Sequence, residues 1–307
     1  MMTFHEGERA VQGRAGVREL AARVGGGIAP AVPPMAAAFL RERSWLVVGA
    51  VGDDGRAWAT ILAGAPGSFA AEDERTVRLT ARPAPGDPLG DGLVAGGAVG
   101  LIAMDLASRR RMRLNGTLAS IDEVGYRVRV EQVYANCPKY IQARALDDPS
   151  EPGVPGAPSR ARRGRALSAE QRAWIERADT LFIATAHSAG GADVSHRGGQ
   201  PGFIDVLDDR TLAIPDYAGN NMFQTLGNLT VTPAAGLLFV DFERGATLQL
   251  SGQARIDWDA ARAASYPGAR RVVELRIDEV VEIDAAIPLR WHLLEYSPFN
   301  PAVAERG

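Results

Sequence analysis

The chain has little of two residue types that often build protein sites. Among its 307 residues there is one cysteine, Cys137, and one lysine, Lys139. A single cysteine excludes an internal disulfide, a zinc site built on paired cysteines and an iron–sulfur cluster held by this chain alone. No stretch approaches the ~20 apolar residues of a membrane-spanning helix. Because every other basic residue is arginine, an anionic ligand has to be held mainly by guanidinium groups, hydroxyls and backbone N–H groups.

The net charge is small, at −3, which gives no reason to expect nucleic acid or a membrane surface as a partner. The first residues, MMTFHEGERAVQGR, contain acids and no apolar core, so we expect no secretory signal. Together with the lone cysteine, this makes the cytoplasm the expected compartment.

The sequence repeats itself. Gly100–Asp122 reads GLIAMDLASRRRMRLNGTLASID, and Gly236–Asp257 reads GLLFVDFERGATLQLSGQARID, at an offset of 136 residues. Two related halves most simply pack as an internal pseudo-dimer. A cleft between such halves is a common place for a cofactor.

Each half alternates short apolar strands with hairpin turns and carries one or two short helices, such as the helix predicted over Gly7–Val24. No βαβ period appears, and hairpins that must hide their edges favour small barrels. We therefore predict a mainly β protein with short α-helices (α+β), built as two tandem split β-barrels in an intramolecular pseudo-dimer. The predicted domains are residues 1–146 (an N-terminal helix plus the first barrel), a linker at 147–166, and the second barrel at 167–307.

Two segments of the second half have the composition of a binding site. Ser195–Gly199 follows a strand, and its hydroxyl, arginine and glycines suit a phosphate, although spacing alone slightly favours a plain polar turn with a solvated arginine. Asp216–Asn221 precedes a short helix that we predict to begin at Met222. That loop could bind an anion or an amide, or its asparagine could cap the helix.

Two segments of the first half are also candidates. Arg111 and Arg113 share one face of a strand, where they could hold a phosphate or protect a sheet edge, and we favour the edge. Asn136–Gln142 contains an aromatic ring, amides and the only ammonium group, which would suit a heteroaromatic ligand or simply form the exit from the sheet. The four histidines do not have metal-ligand spacing, so we predict no metal site.

Several stretches, taken together, resemble one known family: FHEGERAVQ, GRAWAT, APGDPL, RRRMRLNG, NCPKYIQ, VSHRGGQPGF, IPDYAGNNMFQTLGNL and GLLFVDFERGATLQLSG. The chain is similar to the pyridoxamine 5′-phosphate oxidase-like, FMN-binding split-barrel superfamily, and within it to the tandem-barrel flavin-nucleotide-binding proteins of bacteria. The resemblance implies FMN bound where the two barrels meet.

The same resemblance nominates cofactor-binding residues. It implies that Arg197 is the leading ligand of the FMN phosphate. It also nominates other residues of the VSHRGG strand, namely Ser195, His196 and Gly198, and the loop residues Asn220 and Asn221. It nominates Gln249 as a strand glutamine directed at the flavin ring, and Lys139, Tyr140 and Gln142 as residues brought across from the first half.

Two departures from the family limit the transfer of activity. The lysines with which the family oxidase grips FMN and substrate are missing, and so is its basic C-terminus. We therefore expect an FMN-dependent oxidoreductase other than a genuine pyridoxamine 5′-phosphate oxidase, reduced by a nicotinamide or a small organic substrate, with no catalytic residue assigned. The alternatives are a non-catalytic flavin carrier served by a separate reductase, and a haem-binding or haem-degrading protein with His196 or His5 as axial ligand. A homodimer of the pseudo-dimer is left open.

Overall fold

The structure is a computed structural model that describes residues 4–147, 160–187 and 191–303. The first half contains α1 (Glu6–Arg14), α2 (Arg18–Gly25), α3 (Pro34–Arg41), β1 (Trp45–Val51), β2 (Ala57–Ala63), β3 (Phe69–Ala71), β4 (Thr76–Leu79), α4 (Pro88–Gly92), β5 (Ala98–Asp105), β6 (Arg110–Ile121), β7 (Tyr126–Ala135) and β8 (Ala143–Leu146). The remainder contains β9 (Ala161–Gly164), α5 (Ala169–Arg177), β10 (Thr180–His187), β11 (Gly191–Gly198), β12 (Asp205–Val206), β13 (Thr211–Tyr217), α6 (Gln224–Leu229), β14 (Ala234–Val240), β15 (Thr247–Asp257), α7 (Ala260–Ala264), β16 (Ala269–Ile283) and β17 (Trp291–Glu295).

Each half forms one large antiparallel sheet, and the two sheets have the same topology. The strand order is β2-β1-β5-β6-β7-β4-β3 in the first half and β11-β10-β14-β15-β16-β13-β12 in the second. The register agrees residue by residue: Val48 pairs with Thr60 and Leu101, as Ile183 pairs with Ser195 and Leu237. The predicted fold class, mainly β with short helices and one β domain per half, is confirmed.

Glycines allow the two sheets to approach each other closely. A Cβ built on Gly100 of β5 would lie 2.7 Å from the Asp193 Cα, and one on Gly236 of β14 would lie 2.6 Å from the Trp58 Cα. These two contacts are related by the same pseudo-symmetry, as expected when related surfaces pair with each other. A buried apolar cluster from both halves fills the rest of the contact, including Ile61, Ile102, Phe182, Val194 and Leu238.

Several elements cross from one half to the other. The helix predicted over Gly7–Val24 is two helices, because Gly16 turns the chain with a φ of 70°. The first of them, α1, packs on α6 of the second half and contributes Val11 to the second core. The strand β8 pairs with β17, and β9 pairs with β16. In the described ranges no helix is long and apolar enough to cross a bilayer.

The predicted domain boundaries remain a prediction. Residues 148–159 of the proposed linker and residues 304–307 of the proposed second domain lie outside the described residues. Residues 161–164, which the sequence analysis assigns to the linker, form β9, whose Ala161 packs against the first core. Backbone pairing to β16 therefore begins before the predicted end of the linker.

Candidate functional site

A cleft lies where β6 of the first half meets β11 of the second. Eight of the ten predicted cofactor-binding residues line it: Lys139, Tyr140, Ser195, His196, Arg197, Gly198, Asn220 and Asn221. The cleft has a volume of about 90 Å³ and is partly open to solvent. Ligand sites commonly measure roughly 300–1,000 Å³, so the inner part of the cleft suits a small charged group, with the rest of a ligand at its open mouth.

Two arginines of β6 enter this cleft from the first half. The interpretation of Arg111 and Arg113 as edge protection is wrong, because β6 lies between β5 and β7 in the middle of its sheet. Their alternate positions on the strand direct both side chains to one face, and both line the cleft. Arg113 is buried and forms an ion pair with Asp193 of β11.

Arg111 differs from the neighbouring arginines because it has no acidic partner among the described residues. One terminal nitrogen lies 2.9 Å from His196 Nδ1, and the other donates to the carbonyl of Cys137 at 2.8 Å. Its Nε is buried without a hydrogen-bond partner. Burial, and then the charges of Arg113 and Arg197, lower the pKa of Arg111 to about 9. The guanidinium is therefore a half-buried positive charge that an anion would stabilise.

His196 lies beneath Arg111 on β11. Burial, followed by the charges of Arg111 and Arg197, lowers its pKa well below the ordinary range. The imidazole is therefore neutral, and Nδ1 accepts from Arg111 while Nε2 carries the proton. His196 thus orients the guanidinium without adding charge to the cleft.

Ser195 belongs to a buried group of hydroxyls and a carboxylate. Its Oγ donates to Asp193 at 3.2 Å and accepts from Thr225 at 2.8 Å. Asp193 also binds Arg113, so the same carboxylate positions a guanidinium of the first half and a hydroxyl of the second. The predicted residue Ser195 is held rigidly, with Asp193 and Thr225 as supports that the sequence analysis missed.

Arg197 occupies the outer part of the cleft and is already paired. Its terminal nitrogen lies 3.3 Å from Asp216, whose other oxygen lies 3.2 Å from the Nε of Arg271. The next position, Gly198, requires a glycine, because a Cβ there would lie 2.0 Å from the carbonyl oxygen of Tyr140. The first-half loop can therefore pass directly over β11.

The loop before α6 is held in a strained form. Asn221 and Phe223 have φ values of 61° and 64°, in the left-handed region that most residues avoid. Between them, the N–H of Met222 donates to the side chain of Asn220 and its carbonyl accepts from Gln12 of α1, each at 3.0 Å. The helix begins at Gln224 rather than Met222, and neither asparagine is its N-cap.

Tyr140 lies at the mouth of the cleft, in the segment after β7. Its hydroxyl donates to the carbonyl of Ala218 at 3.0 Å, and its ring lies 5.4 Å from that of Tyr217. The ammonium of Lys139 is 5.4 Å from the ring centre of Phe299. This segment therefore gives the mouth an aromatic rim that joins both halves.

The two remaining predicted residues do not line the cleft. Gln142 is fully buried below it, where its amide donates to the carbonyls of Asp179 and Gly199 and accepts from the N–H of Ser297. Gln249 lies at the other junction between the halves, and its amide donates to the carbonyl of Ala59 and to Asp87. Both amides support the fold in this structure.

No group of three or more His, Cys, Asp or Glu side chains in the described part of the chain is arranged to hold a metal ion. Cys137 is exposed at the cleft, and its carbonyl rather than its sulfur contacts Arg111.

Residues 167–284 match the family model described as pyridoxamine 5′-phosphate oxidase. The match includes β11, the loop before α6 and all of β16. No curated protein matches the chain.

Solved structures that resemble the chain each cover less than half of it. HupZ of Group A Streptococcus is 18% identical, with a TM-score of 0.31 over 36% of this chain and 89% of HupZ. An FAD-binding protein of Mycobacterium smegmatis is 15% identical, with a TM-score of 0.28 over 39% and 98% of the two chains. HutZ, described as a haem storage protein of Vibrio cholerae, is 14% identical, with a TM-score of 0.28 over 38% and 94%. Likeness at this level does not extend to ligand or reaction.

Proposed function

We propose that the cleft between the halves binds FMN, and the match of residues 167–284 to the family model described as pyridoxamine 5′-phosphate oxidase supports this. The protein is then a flavoprotein, and its activity is an oxidoreduction that begins with hydride from a reduced nicotinamide or a small organic substrate. Flavin supplies the redox chemistry when bound, and the residues of the chain bind and orient it. We assign no catalytic acid or base.

One observation carries the proposal: Arg111 is a half-buried guanidinium with a buried Nε and no carboxylate partner among the described residues, and it lies beside two further arginines. Buried charges are usually paired, because desolvation costs several kcal/mol. A phosphate would supply the missing negative charge and accept several N–H groups at once. The phosphate of FMN therefore belongs in the inner part of the cleft, held by Arg111, Arg113 and Arg197.

The ring system belongs at the open mouth. Tyr140, Tyr217 and Phe223 line this side of the cleft. Flat aromatic side chains suit a tricyclic ring, and Tyr140 is already fixed by its hydrogen bond to Ala218. In this arrangement the chain restricts water around the phosphate and leaves one edge of the ring open to a substrate.

The proposal is tested by purifying the protein and titrating the apoprotein with FMN, riboflavin and FAD. We expect flavin absorbance in the purified protein and tighter binding of FMN than of riboflavin, because riboflavin has no phosphate for the arginines. Equal affinity for riboflavin and FMN would contradict the placement of the phosphate. Absence of binding by all three flavins would remove the proposed function.

A non-catalytic flavin carrier is the alternative within the same ligand class. Anaerobic mixing of the flavin-loaded protein with a reduced nicotinamide separates the two. Rapid bleaching of the flavin band supports an oxidoreductase. A stable band that bleaches only when a separate reductase is added supports the carrier.

The geometry does not favour haem. His196 is buried with Nδ1 bound to Arg111, and His5 stacks on His187 with 4.4 Å between the ring centres. The Nε2 atom of each imidazole is enclosed by protein, so neither is exposed to an iron atom. A Soret band in the purified protein would overturn this conclusion.

A further inference from the structure

Internal duplication gives the chain two related junctions between its halves. We call the contact of β6 with β11 the arginine junction and the contact of β15 with β2 the glutamine junction. Strand pairing defines the equivalences: Arg113 is opposite Ile102 as Gln249 is opposite Leu238, and Arg111 is opposite Met104 as Thr247 is opposite Val240. In an identical dimer both junctions would bind the same ligand.

The glutamine junction lacks the three arginines of its counterpart. Thr247 stands in place of Arg111, Gln249 in place of Arg113, and Leu62 in place of Arg197. Ile61 stands in place of His196, so the imidazole that orients Arg111 is absent too. Four substitutions thus remove the whole set of anion-binding side chains.

The space at the glutamine junction is occupied by protein. Gln249 is fully buried, and its amide donates at 3.0 Å to both the Ala59 carbonyl and Asp87. The hydroxyl of Thr60, the counterpart of Ser195, also donates to Asp87. Leu62 is fully buried in the first core. Where one junction has a cleft, the other has a hydrogen-bonded contact across the halves.

The side chain that fills the glutamine junction beside Gln249 is a carboxylate, whereas three guanidinium groups line the arginine junction. Asp87 is buried, and burial raises its pKa to about 6, with hydrogen bonds from Thr60, Leu89 and Gln249 opposing the shift. Near neutral pH this carboxylate presents a negative charge where the arginine junction presents guanidinium groups. A phosphate entering there would meet repulsion as well as a filled space.

We infer that the chain binds one phosphorylated ligand, at the arginine junction, and that the glutamine junction is a permanent brace between the halves. The inference goes beyond the proposed function and rests on it for the ligand class. It makes the pseudo-dimer functionally asymmetric, with one occupied and one closed contact per chain.

The test counts ligands on the full chain by calorimetric titration with FMN and compares equivalent positions. We expect one FMN per chain, a loss of affinity of about 10–100-fold in Arg111→Ala, and affinity within about twofold of the natural chain in Thr247→Val. Thr247 is suited to this role because its hydroxyl is buried without a hydrogen-bond partner, so the substitution leaves the fold intact.

Two FMN per chain, or weakened binding in Thr247→Val equal to that in Arg111→Ala, would overturn the inference while leaving the proposed function standing. Absence of any FMN binding would instead overturn the proposed function. In that case the same count is made with inorganic phosphate, and two phosphates per chain with equal affinity would overturn the single-site inference.

Discussion

The two halves share a fold and contribute different chemistry to the cleft. The first half supplies cations from the centre of its sheet, Arg111 and Arg113. The second half supplies a hydroxyl, Ser195, and a strained loop held by buried side chains. Two identical subunits must carry both sets in every copy. A duplicated chain can keep one set in each half, and this division teaches that the halves diverged in function while their topology stayed the same.

The largest expected effect on FMN affinity distinguishes Arg111 of the first half from Arg197 of the second. Arg111→Ala should weaken FMN binding by about 2.5 kcal/mol and Arg197→Ala by about 1.5 kcal/mol, both within the range for charge-assisted hydrogen bonds. The difference follows from Asp216, which already neutralises Arg197. Fluorescence titration of FMN measures both constants.

Arg110→Ala is the matched control for that pair, since Arg110 is exposed on the opposite face of β6. Its effect on FMN affinity should be within twofold. A larger loss from Arg197→Ala than from Arg111→Ala would reverse the assignment of the main anchor.

The glycines at the two junctions offer the next comparison. Gly100→Ala and Gly236→Ala each add a methyl group against the opposing backbone, so each should destabilise the fold by roughly 1–3 kcal/mol. Gly100 packs against the backbone of Asp193, whose carboxylate binds Arg113 and Ser195. We therefore expect only Gly100→Ala to reduce FMN affinity as well. Urea unfolding and FMN titration on both variants test this, and equal loss of affinity in Gly236→Ala would refute the asymmetry.

A smaller effect should come from Gln12 of α1, whose side chain donates a hydrogen bond to the loop before α6. Gln12→Leu leaves the carbonyl of Met222 without its donor and releases one constraint on two strained residues. We expect FMN affinity to fall about fivefold, on the scale of one lost neutral hydrogen bond. Arg14→Ala on the exposed side of α1 is the control. Equal FMN affinity in both variants would show that the loop keeps its conformation without the hydrogen bond from Gln12.

The last comparison concerns the pH dependence of stability at the glutamine junction, with only a small effect expected on FMN affinity. The folded-state pKa of Asp87, about 6, lies above its ordinary value of 3.8. The folded state therefore binds this proton more tightly than the unfolded state does. The contribution of Asp87 to the free energy of unfolding is greatest below pH 3.8 and is lost as the pH rises towards 6. Asp87→Asn should remove this pH-dependent contribution. The difference between the urea midpoints of the natural chain and the variant should therefore change from pH 4 to 7. An unchanged difference across that window would show that Asp87 does not titrate there.

The repeated stretches predicted the duplicated β fold because strand period and turn residues are local properties of the sequence. The position of Ser195, His196 and Arg197 at the cleft followed from the family resemblance. Arg111 and Arg113 were misjudged because alternate arginines fit a sheet edge and a binding face equally well, and only strand order decides between them.

Gln249 shows a different limit of the sequence. The resemblance nominated it from a family in which equivalent strands serve equivalent sites. If only one of the two junctions binds the ligand, as we infer, the residues that distinguish the junctions matter, and two of them, Thr247 and Leu62, lie far apart in sequence. The break at Gly16 was missed for a simpler reason, since an apolar face can continue across two short helices.

The crossing of α1 onto α6 has a consequence for synthesis of the chain. The apolar side chain of Val11 belongs to a core whose other members lie between Leu167 and Val280. During translation this helix leaves the ribosome long before its partner, so it stays uncovered until residues 224–229 emerge. The loop before α6 can therefore reach its final form only after α1 has packed on α6.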